Sequence, residues 1–331
     1  MAFEDEANVS TELPLCVVID TNIWRRELLL RTPMGAAVLH AVRQLDGRLG
    51  LPAVIEREVL KHGVAAGCEA VQKIEDGLGD LRRVTGGSPA IELPGPAQIE
   101  EAVAQRIREL DVLFERVPFT LRHAEGALDR VYSGLPPNGP KNQQYKDSAA
   151  WEAILDLAGR YRIVFVTADM GFFRDRSALK GLATNLRDEC ATAHYDIVPF
   201  ETLAAAVEYL QPSVPSLDYP GLEAALATAV AQVMSDAAAE RGFQTGEMQY
   251  SEIQAYATET IDVLAVAFGL HFDAACIATE QAEARHDARI DVSGACSFRV
   301  RANAVKDLLL DRIAFSWADD SGEPRRSANV Y

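Results

Sequence analysis

Histidine and cysteine are scarce and scattered, with six His and five Cys in 331 residues. Cys16, Cys68, Cys190, Cys276 and Cys296 form no CxxC pair, and no HExxH occurs. A thiolate zinc site and an imidazole-held metal are therefore excluded, and an odd, dispersed set of cysteines gives no disulfide framework. These cysteines read as small buried apolar residues, and any metal here is hard and oxygen-bound. No run of about 18 uninterrupted apolar residues occurs, and Met1 to Glu12 lacks the basic and apolar regions of a signal peptide. No membrane partner is expected, and the protein reads as cytoplasmic. There is no internal repeat and no low-complexity tract.

Excess positive charge is also missing, since the net charge is −17. That opposes a nucleic-acid partner, which usually meets a basic surface. The distribution softens the objection. Residues 1–12 carry 4 acids and no base, residues 13–211 carry 27 acids against 23 bases, and residues 212–331 carry 18 against 9. With four acids committed to a metal, the central region would be neutral and RNA binding permitted.

What is present is a chain with 48% apolar residues, enough for one large or two ordinary domains. From Leu13 to Gln211 short apolar runs alternate with helical periodicity, the mark of an α/β fold with a mainly parallel sheet flanked by helices. LCVVID (Leu15 to Asp20) and RIVFVTAD (Arg162 to Asp169) are buried-strand runs that each finish in aspartate, and YDIVPF (Tyr195 to Phe200) is a third strand. Helices are expected around Met34 to Leu45, Pro52 to His62, Asp147 to Tyr161 and Ser177 to Cys190. A helical insertion from about residue 63 to 145 carries Ile99, Val103, Ile107, Leu110 and Phe114 on one face.

Residues 1–12 read as a disordered acidic N-terminus, and 212–221, in QPSVPSLDYPG, as a linker. Residues 222–331 read as a smaller C-terminal α+β domain. In it helices at Leu222 to Arg241 and Ser251 to Phe268 precede an antiparallel meander around Phe272 to Thr279, Ala288 to Arg301 and Leu308 to Trp317, with Gly294 as a bulge. This domain carries no motif of its own and offers a surface for a homo-oligomer or a protein partner.

Ligands of open α/β sheets sit beyond the carboxyl ends of the strands, where Asp20 and Asp169 fall. Either could simply cap the next helix. Asp147 opens an amphipathic helix whose Trp151, Ile154, Leu155 and Ala158 face the core, and it too could cap. Glu58 lies four residues after Val54 and three after Ile55, on the inward side of its helix, where an unpaired carboxylate is costly. Glu56 falls on the outer face as a solvated charge. Four acids from separate elements can cluster only around a cation, and Mg²⁺ or Mn²⁺ fits. Such an ion lowers the pKa of water and stabilises a leaving oxygen, so no side-chain nucleophile is needed.

The segments VVIDTNIW (Val17 to Trp24), PAVIEREVL (Pro52 to Leu60), YKDSAAWEAI (Tyr145 to Ile154) and VFVTADMGFF (Val164 to Phe173) resemble the successive motifs of the PIN domain family, in that family's order. The resemblance covers residues 13 to 211. It implies a metal-dependent nuclease acting chiefly on RNA, of endoribonuclease type, with Asp20, Glu58, Asp147 and Asp169 as the acidic quartet. Asn22 and Thr167 match its supporting polar positions, orienting the first carboxylate and a bound water, with Thr167 otherwise an ordinary strand residue, and Asp175 is a candidate substitute ligand. The insertion and the C-terminal domain depart from simple PIN toxins. Lys141, Lys146, Arg174 and Arg176 are candidate phosphate contacts, or solvated loop charges, and Tyr145 is a candidate base-stacking residue, or packs.

Rival readings fare worse. A haloacid-dehalogenase-like phosphatase wants a second Asp where Asn22 stands. A response-regulator receiver starts from an acidic pair, whereas Ile19 precedes Asp20. A Rossmann oxidoreductase lacks GxGxxG after any strand. The alternative from another class is a catalytically inactive PIN-like module that binds RNA or protein.

Overall fold

A computed structural model describes residues 13–139, 143–214, 219, 221–276, 286–318 and 324–330. The expectations for residues 1–12, for Lys141 and for much of the 212–221 linker fall outside the described residues. The chain divides into two compact units, Met1–Leu29 with Val42–Ala206 and Leu30–Ala41 with Val207–Tyr331, each taken over its described residues.

The first unit is built on five parallel strands: β1 (Leu15–Ile19), β2 (Arg48–Pro52), β3 (Phe114–Val117), β4 (Arg162–Val166) and β5 (Ile197–Phe200). Their order is β3-β2-β1-β4-β5. Chain order therefore runs outward from β1 to β3, then returns to the other side of β1 with β4. That reversal is the topological switch point, where an open sheet presents its ligand crevice. β1 is buried along its whole length, and β4 beyond its first residue, which is why both read as unbroken apolar runs. Ile19 pairs with Val166, so Asp20 and Thr167 leave the sheet side by side.

Two of these strands escape the sequence reading. β2 is RLGLP, interrupted by Gly50 and ending on the proline that opens the next helix. β3 is FERV, four residues with charge at two of them, on the sheet edge. It lies inside the stretch read as a helical insertion, which is corrected accordingly: Phe114 begins a strand and does not continue the helical face.

The helices in chain order are α1 (Thr21–Arg26), α2 (Pro33–Gln44), α3 (Ala53–Thr85), α4 (Pro96–Glu109), α5 (Leu121–Ser133), α6 (Tyr145–Ala158), α7 (Thr184–Ala193), α8 (Leu203–Leu210) and α9 (Leu222–Glu240). The helix expected over Pro52 to His62 runs on for 33 residues and stops at Gly86, whose left-handed φ of 77° closes the last turn. α4 buries Ile99, Val103 and Ile107 and packs along α3. The helix expected from Ser177 is replaced by short 3-10 turns, and α7 starts only at Thr184.

The second unit contains α9 and an antiparallel sheet in the order β10-β9-β8-β7-β6. The strands are β6 (Phe243–Ala257), β7 (Val263–Cys276), β8 (His286–Arg299), β9 (Ala304–Ala318) and β10 (Pro324–Val330). Leu222, Leu226, Val230 and Met234 of α9 join Phe268, Ile290, Ile313 and Phe315 in one core. The helix expected over Ser251 to Phe268 is wrong: this segment is the β6–β7 hairpin. Its Ala and Glu content imitates a helix, but register pairing from Ile253–Phe268 to Ala257–Leu264 overrides local propensity. The pairing of β8 with β9 shifts register between Ser293 and Gly294, where a Cβ would collide with the Leu309 carbonyl oxygen.

Candidate active site

Asp20 follows β1 and caps α1. It is 8% exposed, and three donors fix its carboxylate: the Thr21 N–H at 2.7 Å, the Asn22 side-chain amide at 2.8 Å and the Thr167 hydroxyl at 2.7 Å. The Asp20 N–H donates to the Val166 carbonyl at 2.9 Å, which ties the ends of β1 and β4 together. Asn22 reaches across the same edge, its side-chain oxygen accepting from the Ala168 N–H at 3.2 Å.

Thr167 couples the two strand-end acids, because its Oγ1 also accepts from the Asp169 N–H at 3.0 Å. Asp169 caps the turn that follows, accepting from the Gly171 N–H at 2.7 Å, and takes a further bond from Gln144 Nε2 at 2.6 Å. Only glycine fits at 171, since a Cβ there would come within 2.7 Å of the Pro137 carbonyl oxygen. Glu58 projects from the first turns of α3. It accepts from Thr21 Oγ1 at 3.2 Å and pairs with Lys146 of α6. Asp147 sits in the first turn of α6, and among the described residues no donor reaches its carboxylate.

Asp20, Glu58, Asp147 and Asp169 line a single cleft of about 340 Å³ together with Thr21, Asn22, Arg25 and His62. The electrostatics follow from the crowding. Burial, joined by the charges of Asp20, Asp169 and Glu58, pushes the Asp147 carboxyl up to about 7. Burial also raises Asp20, against its hydrogen bonds from Thr167 and Thr21. Lys146 is held above the usual lysine range by its bond to Glu58.

Among the described residues no group of three or more His, Cys, Asp or Glu side chains stands ready to hold a metal ion. Asp20, Glu58 and Asp169 each engage protein donors. The donor set itself fits a hard divalent cation, being all carboxylate oxygen. So does the charge state, because raised carboxyls in a shared cleft are what a cation would relieve. The sequence reading, in which only a cation could neutralise the cluster, had no place for Lys146 as a counter-charge inside it.

The other expected site residues fall elsewhere. Arg174 and Arg176 line a neighbouring cleft of about 650 Å³ that also includes Gln144 and Gly171. Asp175 does not join the acidic cleft; it lines that neighbouring cleft, is exposed and pairs with Lys180 at 3.0 Å. Tyr145 is 39% exposed and bonds the Ala124 carbonyl at 3.4 Å. Glu56 points away from the cleft, as its helical position requires, but pairs with Arg116 at 3.2 Å instead of standing alone in solvent. Sequence reasoning missed Thr21, Arg25, His62 and Gln144. Thr21 lay within a quoted motif, whereas no spacing or periodicity marks Gln144, three residues ahead of Asp147.

A parallel sheet with four carboxylates lining one cleft defines an α/β domain with an acidic site. Residues 17–173 match the model of the PIN domain family, whose fold is in general of nuclease type. The chain matches no curated protein.

Proposed function

We propose that residues 13–211 form a Mg²⁺- or Mn²⁺-dependent ribonuclease in which Asp20, Glu58, Asp147 and Asp169 hold the cation. The observation that supports this most is that carboxylates from four separate elements line one cleft. A divalent cation, when bound, lowers the pKa of the attacking water and offsets charge at the phosphate. The chain's own residues do the rest. Thr167, Asn22 and the Thr21 N–H hold Asp20 in one orientation. Lys146 exchanges Glu58 for a substrate phosphate, and Arg174 and Arg176 hold phosphates further along the strand. Lys141 is a further phosphate contact in this reading, and the exposed Tyr145 ring offers a face to a base.

Water oxygen bonds to phosphorus, the bond to the 3′ oxygen breaks, and that oxygen leaves with a proton. Products therefore carry 5′-phosphate and 3′-hydroxyl ends. The test is incubation of the full chain with defined RNAs and DNAs in Mn²⁺, Mg²⁺ or EDTA, followed by end-group analysis. Cyclic 2′,3′-phosphate products, or full activity in EDTA, would overturn the chemistry. A non-cleaving RNA- or protein-binding module is the weaker reading, since all four carboxylates are in place.

In the same proposal the chain is cytoplasmic, and residues 222–331, after the 212–221 linker, serve oligomerisation or substrate selection. Among the described residues no helix is long and apolar enough to cross a membrane. Light scattering of the full chain over a range of concentrations tests the oligomer; a monomer throughout removes it.

A further inference from the structure

Beside the acidic cleft runs a second groove of about 240 Å³, and Thr21, Arg25 and His62 line both. Its remaining walls are apolar or small: Trp24, Leu28 and Leu29 from α1 and the residues after it, and Val59, Ala66 and Ala70 among those from α3. A phosphate held over the carboxylates would thus lead its neighbouring nucleoside directly into apolar surroundings. Leu28 nonetheless remains 54% exposed.

Trp24 supplies a separate observation. It is 1% exposed, and its indole N–H is buried with no acceptor among the described residues. A buried donor left unpaired is rare and costly, and calls for an explanation. The loop beside it is strained: Leu28 and Leu29 have φ of 45° and 60°, in the left-handed region that bulky residues avoid. The Leu29 N–H bonds the Trp24 carbonyl at 3.0 Å, and Arg106 holds the Leu29 carbonyl at 3.1 Å. Such strain persists where surrounding structure enforces it, often at ligand clamps. Gly67 is not part of the case, since α4 requires it: a Cβ there would lie 2.5 Å from Ile99.

We propose that this groove is a nucleobase subsite, taking the base next to the phosphate at the acidic cleft when single-stranded RNA is bound. This rests on the ribonuclease reading above. A base is flat, with apolar faces, which suits the apolar walls of this groove beside the acidic cleft. Arg25 and His62, at the shared rim, stand where the connecting phosphate would pass.

The test is the Trp24 indole N–H resonance in ¹H–¹⁵N spectra of the full chain. The sequence holds three tryptophans, so Trp24→Phe assigns the peak. Uridine and adenosine monophosphates in Mg²⁺ are the probes, with ribose 5-phosphate as the control that lacks a base. The nucleotides should move the Trp24 peak, bind roughly tenfold tighter than the control, and lose both effects in Ala66→Phe, which fills the groove. An unmoved peak, or equal shifts with ribose 5-phosphate, overturns the subsite. The wild-type comparison stands even if Ala66→Phe fails to fold. RNA cleavage in Mn²⁺ without a base-dependent shift would overturn only the subsite, and a base-dependent shift without cleavage only the ribonuclease reading.

Discussion

The hydroxyl of Thr167 donates to the carboxylate of Asp20 at 2.7 Å, a side-chain bond made at the point where two adjacent parallel strands end together. The same oxygen accepts from the Asp169 N–H. One small side chain therefore sets the spacing of two acids that are far apart in sequence. Thr167→Val keeps the shape and removes both bonds, leaving the Asp169 N–H without this acceptor and the buried Asp20 carboxylate with only the Asn22 amide and the Thr21 N–H as donors. A loss of about 1–3 kcal/mol in stability is expected, with a clear fall in cleavage rate as Asp20 loosens. Chemical denaturation and single-turnover kinetics check this; wild-type values in both would remove Thr167 from the site.

The acidic cleft makes a contrast among carboxylates on one helix and its neighbours. Asp20→Asn, Glu58→Gln and Asp147→Asn should each reduce cleavage by orders of magnitude while the fold persists, because each removes a charge from the cation. Glu56→Gln should leave activity nearly intact, since that residue pairs with Arg116 away from the cleft. Circular dichroism monitors the fold in parallel. Full activity of purified Asp20→Asn would refute the site assignment.

Stability should depend on pH through Asp147. Burial and three neighbouring carboxylates raise its folded-state value to about 7, against about 3.9 for an unfolded aspartate. The folded protein thus binds the proton more tightly than the unfolded chain does. Its contribution is fully present below about pH 4 and lost as pH rises through about 7; Asp20, also raised, acts in the same direction. In EDTA the wild-type melting temperature should fall from pH 5 to pH 8, and Asp147→Asn should fall less. Identical pH profiles for the two proteins would show that Asp147 carries no such burden.

How much of this was legible in the sequence depended on burial. β1 and β4 are central and enclosed, so their residues form continuous apolar runs, and the aspartates that end them stand out. β2 and β3 were hidden because Gly50 and Pro52 break one run and Glu115 and Arg116 the other. In α6, Trp151, Ile154, Leu155 and Ala158 are buried as the helical period required. The 251–268 segment was misread because its strands are specified by partners across the sheet, which no local window contains. At the site, residue types at strand ends pointed to the acids. The donors that hold them could not be found that way: Gln144 bonds Asp169 and Lys146 bonds Glu58 from a loop and a helix end that carry no periodic signal.

Lys146 yields the last prediction. Its ammonium pairs with Glu58, and 66% of the lysine side chain is exposed, so the pair adds at most about 1 kcal/mol to stability. A cation bound by Glu58 must displace that ammonium, and the freed lysine is then placed for a substrate phosphate. Lys146 therefore opposes metal binding while favouring RNA. Lys146→Gln should tighten Mn²⁺ binding, read by calorimetry without substrate, because the competing charge is gone. The same variant should weaken RNA binding in Mn²⁺ and reduce its salt dependence, since one phosphate contact is lost. Opposite shifts in the two affinities, with a melting temperature close to wild type, are the expected outcome. Weaker Mn²⁺ binding in Lys146→Gln would mean that the lysine organises Glu58 for the metal instead of competing with it, and the exchange would be refuted.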